Sequence, residues 1–188
     1  MGHLQAAVAE SIRVTQSLLG LGGAVDGASR TIRRCLLGGG KLLVCGNGGS
    51  ASDATHLATE FLCRFKSDRK PFPAISLTAN GELLTAIGND YSFDDVFARQ
   101  VNGLAQGGDV LVCFTTSGKS RNVVRAIEEA NRIGIESVCF LGRDGGQTKG
   151  MATIELLVEA KSTARIQEAH KLLFHAICEA LEDGLASA

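Results

Sequence analysis

Nothing in this chain of 188 residues approaches the roughly 20 consecutive apolar residues of a membrane span, so no membrane-crossing helix is expected. The N-terminus lacks the continuous apolar core of a secretory signal. A formal charge of −1 lacks the basic excess usual in nucleic-acid binders, so no nucleic-acid partner is expected. None of the six cysteines has CxxC spacing. Cys45, Cys113 and Cys139 sit in apolar strand-like runs and Cys35, Cys63 and Cys178 in helical patterns, which points to free thiols in a reducing cytoplasm. Internal repeats, low-complexity tracts and a domain-splitting linker are also missing. One domain over residues 1–188 is expected, with a helical segment at 1–38 and an α/β core at 39–188.

What is present reads as strands alternating with helices. Residues 4–20 and 24–38 carry apolar positions at helical spacing, separated by the breaker Gly20-Leu21-Gly22-Gly23. KLLVCG at 41–46 is short, apolar and bounded by glycines, as suits a buried parallel strand. A helix is expected to start at Ser50 as N-cap, with Asp53 as the acidic arm of a capping box. The only two prolines fall in RFKSDRKPFP at 64–73, a loop. Further strands are expected at 74–77, 109–116, 137–142 and 152–159, and further helices near 81–88, 93–105, from about 119, and at 163–184. The alternation gives an α/β fold, a three-layer sandwich with a mainly parallel sheet flanked by helices. The two leading helices either cover the sheet or pack against another subunit.

Two loops share one design. Strand 41–45 ends in GNGGS before a helix, and strand 109–114 ends in TTSGKS before another. Ligands of open parallel sheets bind outside the carboxyl ends of strands, where helix N-termini offer unpaired N–H groups and a positive dipole end. Glycines admit close backbone approach, and Ser and Thr add hydroxyl donors, so the pair suits a phosphate or sugar phosphate. Either loop alone reads rather as an ordinary capped helix start with common turn chemistry. Neither has the glycine order of a dinucleotide fold or a P-loop.

His56 and Glu60, four residues apart on one helix, project from one face, as a shared metal site or as a hydrogen-bonded pair. On the terminal helix Gln167 and His175 lie about 80° apart on the helical wheel and can face one site, whereas His170 points well away. Two histidines, a glutamate and a glutamine form an N/O donor set suited to zinc or a similar divalent ion.

Taken together, GNGGSASDATHLATEF, LTAIGNDYSFDDVFARQV, TTSGKSRNVVRAI and ARIQEAHKLLFH resemble the sedoheptulose 7-phosphate isomerase (phosphoheptose isomerase) family, on the sugar isomerase (SIS) fold, a flavodoxin-like sandwich. The resemblance runs from about residue 30 to 184. It implies a cytoplasmic homotetramer, its N-terminal helices in the oligomer packing and its active sites at subunit interfaces. It also implies conversion of sedoheptulose 7-phosphate to D-glycero-D-manno-heptose 7-phosphate, the first step toward heptose precursors of surface polysaccharides. The family's ligands for one Zn²⁺ per subunit fall on His56, Glu60, Gln167 and His175. Its substrate contacts fall on Asn47, Gly48, Gly49, Ser50, Asn89, Asp90, Thr115, Thr116, Ser117, Ser120 and Gln167. Arg64 matches an arginine near the active site in some members; its other reading is a solvated loop charge. One departure is Ala164, where some members carry a carboxylate before the Arg-Ile-Gln triplet.

An aldose–ketose isomerisation moves a proton between C1 and C2 through an enediol(ate) and needs a base, an acid and oxyanion stabilisation. In the implied reaction Glu60 is the base at carbon and His175 the acid–base partner at the oxygens. Three other readings compete. A non-catalytic relative of this fold binds the replication initiator, a sensor domain binds a sugar phosphate, and an isomerase could take a different sugar phosphate. Retention of all four ligand positions favours the enzyme.

Overall fold

The computed structural model describes residues 2–186. Seven helices and five strands alternate through most of it: α1 His3–Ser17, α2 Gly22–Leu37, β1 Leu42–Gly46, α3 Gly49–Leu62, β2 Ala74–Ser76, α4 Gly81–Asp90, α5 Ala98–Leu104, β3 Val110–Thr115, α6 Arg121–Ile133, β4 Glu136–Gly142, β5 Ile154–Val158 and α7 Thr163–Ala186. The strands form one sheet in the order β2-β1-β3-β4-β5, and every adjacent pair is parallel. Register runs through the centre, with Cys45 opposite Cys113 and Cys113 opposite Cys139.

The central strands are continuously apolar because both faces of the sheet are covered. Along β1, Leu42 and Val44 enter one core with α2, α3 and α7, while Leu43 and Cys45 enter the other beneath α4, α5 and α6. In the first core Phe114 and Phe140 stack with centroids 4.4 Å apart, a contact worth about 1 kcal/mol beyond the area it buries. α6 shows how pattern makes packing. Val123, Val124, Ala126, Ile127 and Ala130 recur at helical spacing, and all are buried.

Three details depart from the expectations. The first break is a short 3₁₀ turn, Leu18–Leu21, and α2 already begins at Gly22. Burial of Ala28, Ile32, Cys35 and Leu36 on α2 outweighs the poor helix propensity of its leading glycines. The helix expected over 93–105 is a 3₁₀ turn at Phe93–Asp95, capped by the Ser92 hydroxyl, followed by the shorter α5. The cap of α3 also differs, as described below.

The two leading helices pack differently. α2 packs on the sheet and on α7. α1 buries no residue and lies along α7, where Arg165 Nη1 donates to Ala7 O at 3.0 Å. Leu4, Val8 and Ile12 of α1 remain exposed. All six cysteines are free, as expected. Cys45 and Cys113 touch across the sheet, with sulfurs 3.4 Å apart.

Candidate active site

In the order β2-β1-β3-β4-β5 the chain reverses its direction of winding between β1 and β3. Loops leaving the carboxyl ends of these neighbours splay to opposite faces and open a crevice, the usual ligand site of such sheets. The loops that leave here are GNGGS and TTSGKS.

The first loop turns more tightly than its Ser-x-x-Asp pattern suggests. Gly48, not Ser50, occupies the N-cap of α3, with a left-handed φ of +56° that a side chain would resist. Ser50 lies inside the first turn, where its N–H donates to Asn47 O at 3.0 Å. Its side chain makes no cap bond, and Asp53 is no capping arm. At Gly49 the need is space: a methyl there would stand 2.2 Å from Gln167 Nε2.

The second loop is braced from within and from the first. Gly118 N–H donates to Thr115 Oγ1 at 3.1 Å and Lys119 N–H to Ser117 Oγ at 3.2 Å. The side-chain amides of Asn47 and Asn122 exchange two hydrogen bonds, of 2.8 and 2.9 Å, and so tie the two loops together. Asn122 was not among the expected site residues, and no short motif marks it. Its position two residues after the hydroxyl loop is the available signal.

A cavity of about 290 Å³ opens between the loops. Asn47, Gly49, Ser50, Thr115, Thr116, Ser117, Ser120 and Gln167 line it, together with Phe114 and Thr163. Of the expected substrate contacts, Gly48 sits in the adjoining turn. Asn89 and Asp90 do not join this cavity. They lie exposed at the end of α4, bonded to each other at 2.9 Å.

The second half of the site stands farther along α3. His56 Nε2 meets Glu60 Oε1 at 2.7 Å, and α7 brings the His175 ring to 5.1 Å from that of His56. One donor atom from each of His56, Glu60 and His175 lies within 4.8 Å of the others, close enough for all three to hold one ion. Phe174 meets both histidine rings edge-on, and Phe65 flanks His175. Gln167, two turns earlier on α7, is the donor that the structure places in the hydroxyl cavity. An open cleft of about 550 Å³ runs past His56, bordered by Ser52, Thr55, Thr59 and Thr78.

Burial lowers the pKa of His175, and repulsion from His56 adds to the effect. A lowered pKa favours the neutral imidazole, the state needed both for ligation and for accepting a proton. Asp53, one turn before His56, is buried within the α3–α7 contact. Its Oδ2 has no hydrogen-bond partner, Oδ1 is 3.5 Å from Lys171 Nζ, and burial raises its pKa. His170 stays out of the site, as expected. It is wholly buried, with Nε2 3.0 Å from Leu141 O, and burial lowers its pKa to about 4. Arg64 is exposed and donates to Lys66 O at 2.8 Å, which fits its solvated reading. Ala164 is also exposed.

The SIS domain model matches residues 7–142. A phosphoheptose isomerase from Geobacter metallireducens is 52% identical over 150 residues, 80% of this chain and 79% of that one. The solved phosphoheptose isomerase of Neisseria gonorrhoeae superposes with a TM-score of 0.89 at 42% identity, covering 96% of this chain and 97% of that one. Its counterpart from Francisella tularensis gives 0.92 at 36% identity, with 96% of each chain covered.

Proposed function

The chain belongs to the SIS-domain family and, within it, to the phosphoheptose isomerases, and from this premise we propose that it converts sedoheptulose 7-phosphate to D-glycero-D-manno-heptose 7-phosphate. The observation that carries this reading is the double duty of α3. Its first turn forms one wall of a neutral hydroxyl cavity, and its third and fourth turns present His56 and Glu60 to His175. The hydroxyls, amides and backbone N–H groups of the cavity suit the phosphate and chain hydroxyls of a sugar phosphate. The triad suits the reacting end.

In this reading Glu60 is the base that carries the proton between C1 and C2. Its Oε1 is engaged by His56 at 2.7 Å, which leaves Oε2 for the proton. His175, whose neutral form burial favours, takes the proton of one substrate oxygen and returns it to the other. Gln167, packed on Gly49, orients the substrate between the two halves. The N/O donor set of His56, Glu60 and His175 fits a divalent ion, which we assign as zinc with Gln167 as a further ligand. When bound, that ion supplies charge that polarises the substrate carbonyl. Fixing the reacting end in this way is worth on the order of 7 kcal/mol of barrier in good cases.

The assembly belongs to the same proposal. Asn89 and Asp90 stand clear of the cavity, and α1 exposes Leu4, Val8 and Ile12. Both features are consistent with a homotetramer in which a neighbouring chain completes each site. Six free cysteines support a reducing cytoplasmic setting. The reaction is tested by NMR of sedoheptulose 7-phosphate with the purified protein, with and without added zinc. The aldose product should form with zinc and be lost on chelation. No conversion under either condition would refute the reading.

A further inference from the structure

Every residue lining the hydroxyl cavity is uncharged, yet the phosphate end of the substrate proposed above is a dianion. The helix starts and hydroxyls of the cavity lend it partial positive charge, and full counter-charge stands just beyond the cavity wall, where the segment after β4 meets the TTSGKS loop. Arg143 is the only non-glycine residue with a positive φ, +60°, among the described residues. Such a conformation persists only where the surroundings enforce it, and it marks a place to look for function.

Here the enforcement is visible. The Arg143 N–H donates to Val158 O at 3.1 Å, and Thr148 N–H donates to Gly118 O at 3.2 Å. A methyl on Gly146 would stand 2.6 Å from Ser117 O. The segment is therefore interlocked with the TTSGKS loop. Arg143 Nη2 reaches Thr163 Oγ1 at 3.4 Å, and Thr163 lines the hydroxyl cavity. Lys119 lies between Ser117 and Ser120, which line it too. On the outer side Lys119, Arg143 and Lys161 border an open cleft of about 580 Å³ with Asp144 and Glu159. None of the five forms a salt bridge among the described residues. Asp144 instead accepts from the Gly146 N–H at 3.1 Å. Three cations thus stand unpaired beside a neutral phosphate pocket.

We propose that Lys119, Arg143 and Lys161 form a cationic rim that supplies counter-charge to the phosphate held in the hydroxyl cavity, with Arg143 as the member the backbone fixes in place. The inference rests on the sugar-phosphate reading of that cavity. Because the rim acts on a part of the substrate that does not react, it lowers KM and leaves kcat alone. Its contribution is screened over roughly 10 Å at 0.1 M salt.

Arg143→Gly is the informative variant, since glycine suits the left-handed backbone and the fold should be kept. At low ionic strength KM for sedoheptulose 7-phosphate should rise about 3- to 10-fold at unchanged kcat. Affinity for inorganic phosphate, read by calorimetry, should fall by a similar factor. Both differences should vanish near 0.5 M salt, and Arg143→Lys should recover most of the loss. Unchanged phosphate affinity in Arg143→Gly at low salt would overturn the proposal, as would a loss that high salt does not remove. If the wild-type protein turns over no sedoheptulose 7-phosphate, the functional reading fails, and the phosphate measurement alone decides the rim.

Discussion

Gly49→Ala separates the site from the fold. Gly49 opens α3 without a left-handed φ, so alanine takes up its backbone without strain, and helix propensity favours the change by up to about 1 kcal/mol. The added methyl would stand 2.2 Å from Gln167 Nε2, 2.7 Å from Cδ and 2.9 Å from Oε1. Ordinary van der Waals contact needs about 3.5 Å, so the amide must retreat by about 1 Å. The three atoms nearest to that methyl all belong to this one flexible side chain, so the strain has an outlet there. A misplacement of that size at a positioning group costs on the order of 100-fold in rate, or about 2.7 kcal/mol. The assay is kcat and KM for sedoheptulose 7-phosphate beside a thermal melt. We expect a melting temperature equal to or above wild type and kcat/KM down about 100-fold. The double variant Gly49→Ala/Gln167→Ala should be no worse than Gln167→Ala alone, because the methyl acts through that amide. Wild-type kcat/KM in Gly49→Ala would refute the role given to Gln167, and a large fall in melting temperature would refute the packing argument.

His170 predicts an acid response. The folded chain holds its imidazole neutral to about pH 4, whereas the unfolded chain protonates it below 6.5. Acid therefore favours the unfolded state, and stability present above pH 6.5 is lost as pH falls toward 4. From pH 7 to pH 5 this one group should remove about 2 kcal/mol in urea unfolding, and His170→Leu should lose that slope. An identical slope in both proteins would contradict the burial argument; Asp53, whose raised pKa works in the opposite direction, is common to both. Gly118→Ala attacks the second loop. With φ at +62° and a methyl 1.8 Å from Gly145 O, no flexible side chain can yield. A loss on the order of 3 kcal/mol or more is expected by chemical denaturation, and a change under 1 kcal/mol would show that this loop is not interlocked with the segment after β4.

Legibility in the sequence followed the range of the interactions. KLLVCG and DVLVCFTT read as buried strands because their apolar runs are local, and β1 and β3 lie where they indicate. GNGGS and TTSGKS read as paired loops for the same reason, and they meet around one cavity. His56 and Glu60 share a helix face by spacing alone, and their contact needs no knowledge of the fold. The cap of α3 was misread because Ser-x-x-Asp is a sound local signal, yet the tight exit from β1 places a left-handed glycine at that point. Asp53 is instead drawn into the α3–α7 contact beside Lys171, a meeting of distant segments that no local pattern encodes. The Asn47–Asn122 pair is of the same kind, since each asparagine looks like ordinary turn chemistry until the sheet brings the loops together. The strain at Arg143 is a backbone property and leaves no trace in composition.

The central claim is that α3 and α7 bring a base and its partners to the reacting end of a sugar phosphate held by the two loops. Glu60→Gln tests it most directly, because the substitution keeps the shape of a side chain that is 15% exposed and removes its basicity. Purified, zinc-supplemented wild-type and Glu60→Gln proteins are compared by NMR for conversion of sedoheptulose 7-phosphate, with circular dichroism to establish equal folding. The account predicts steady appearance of the aldose 7-phosphate with the wild type and almost none with the variant. Near wild-type turnover by a folded Glu60→Gln protein would contradict it.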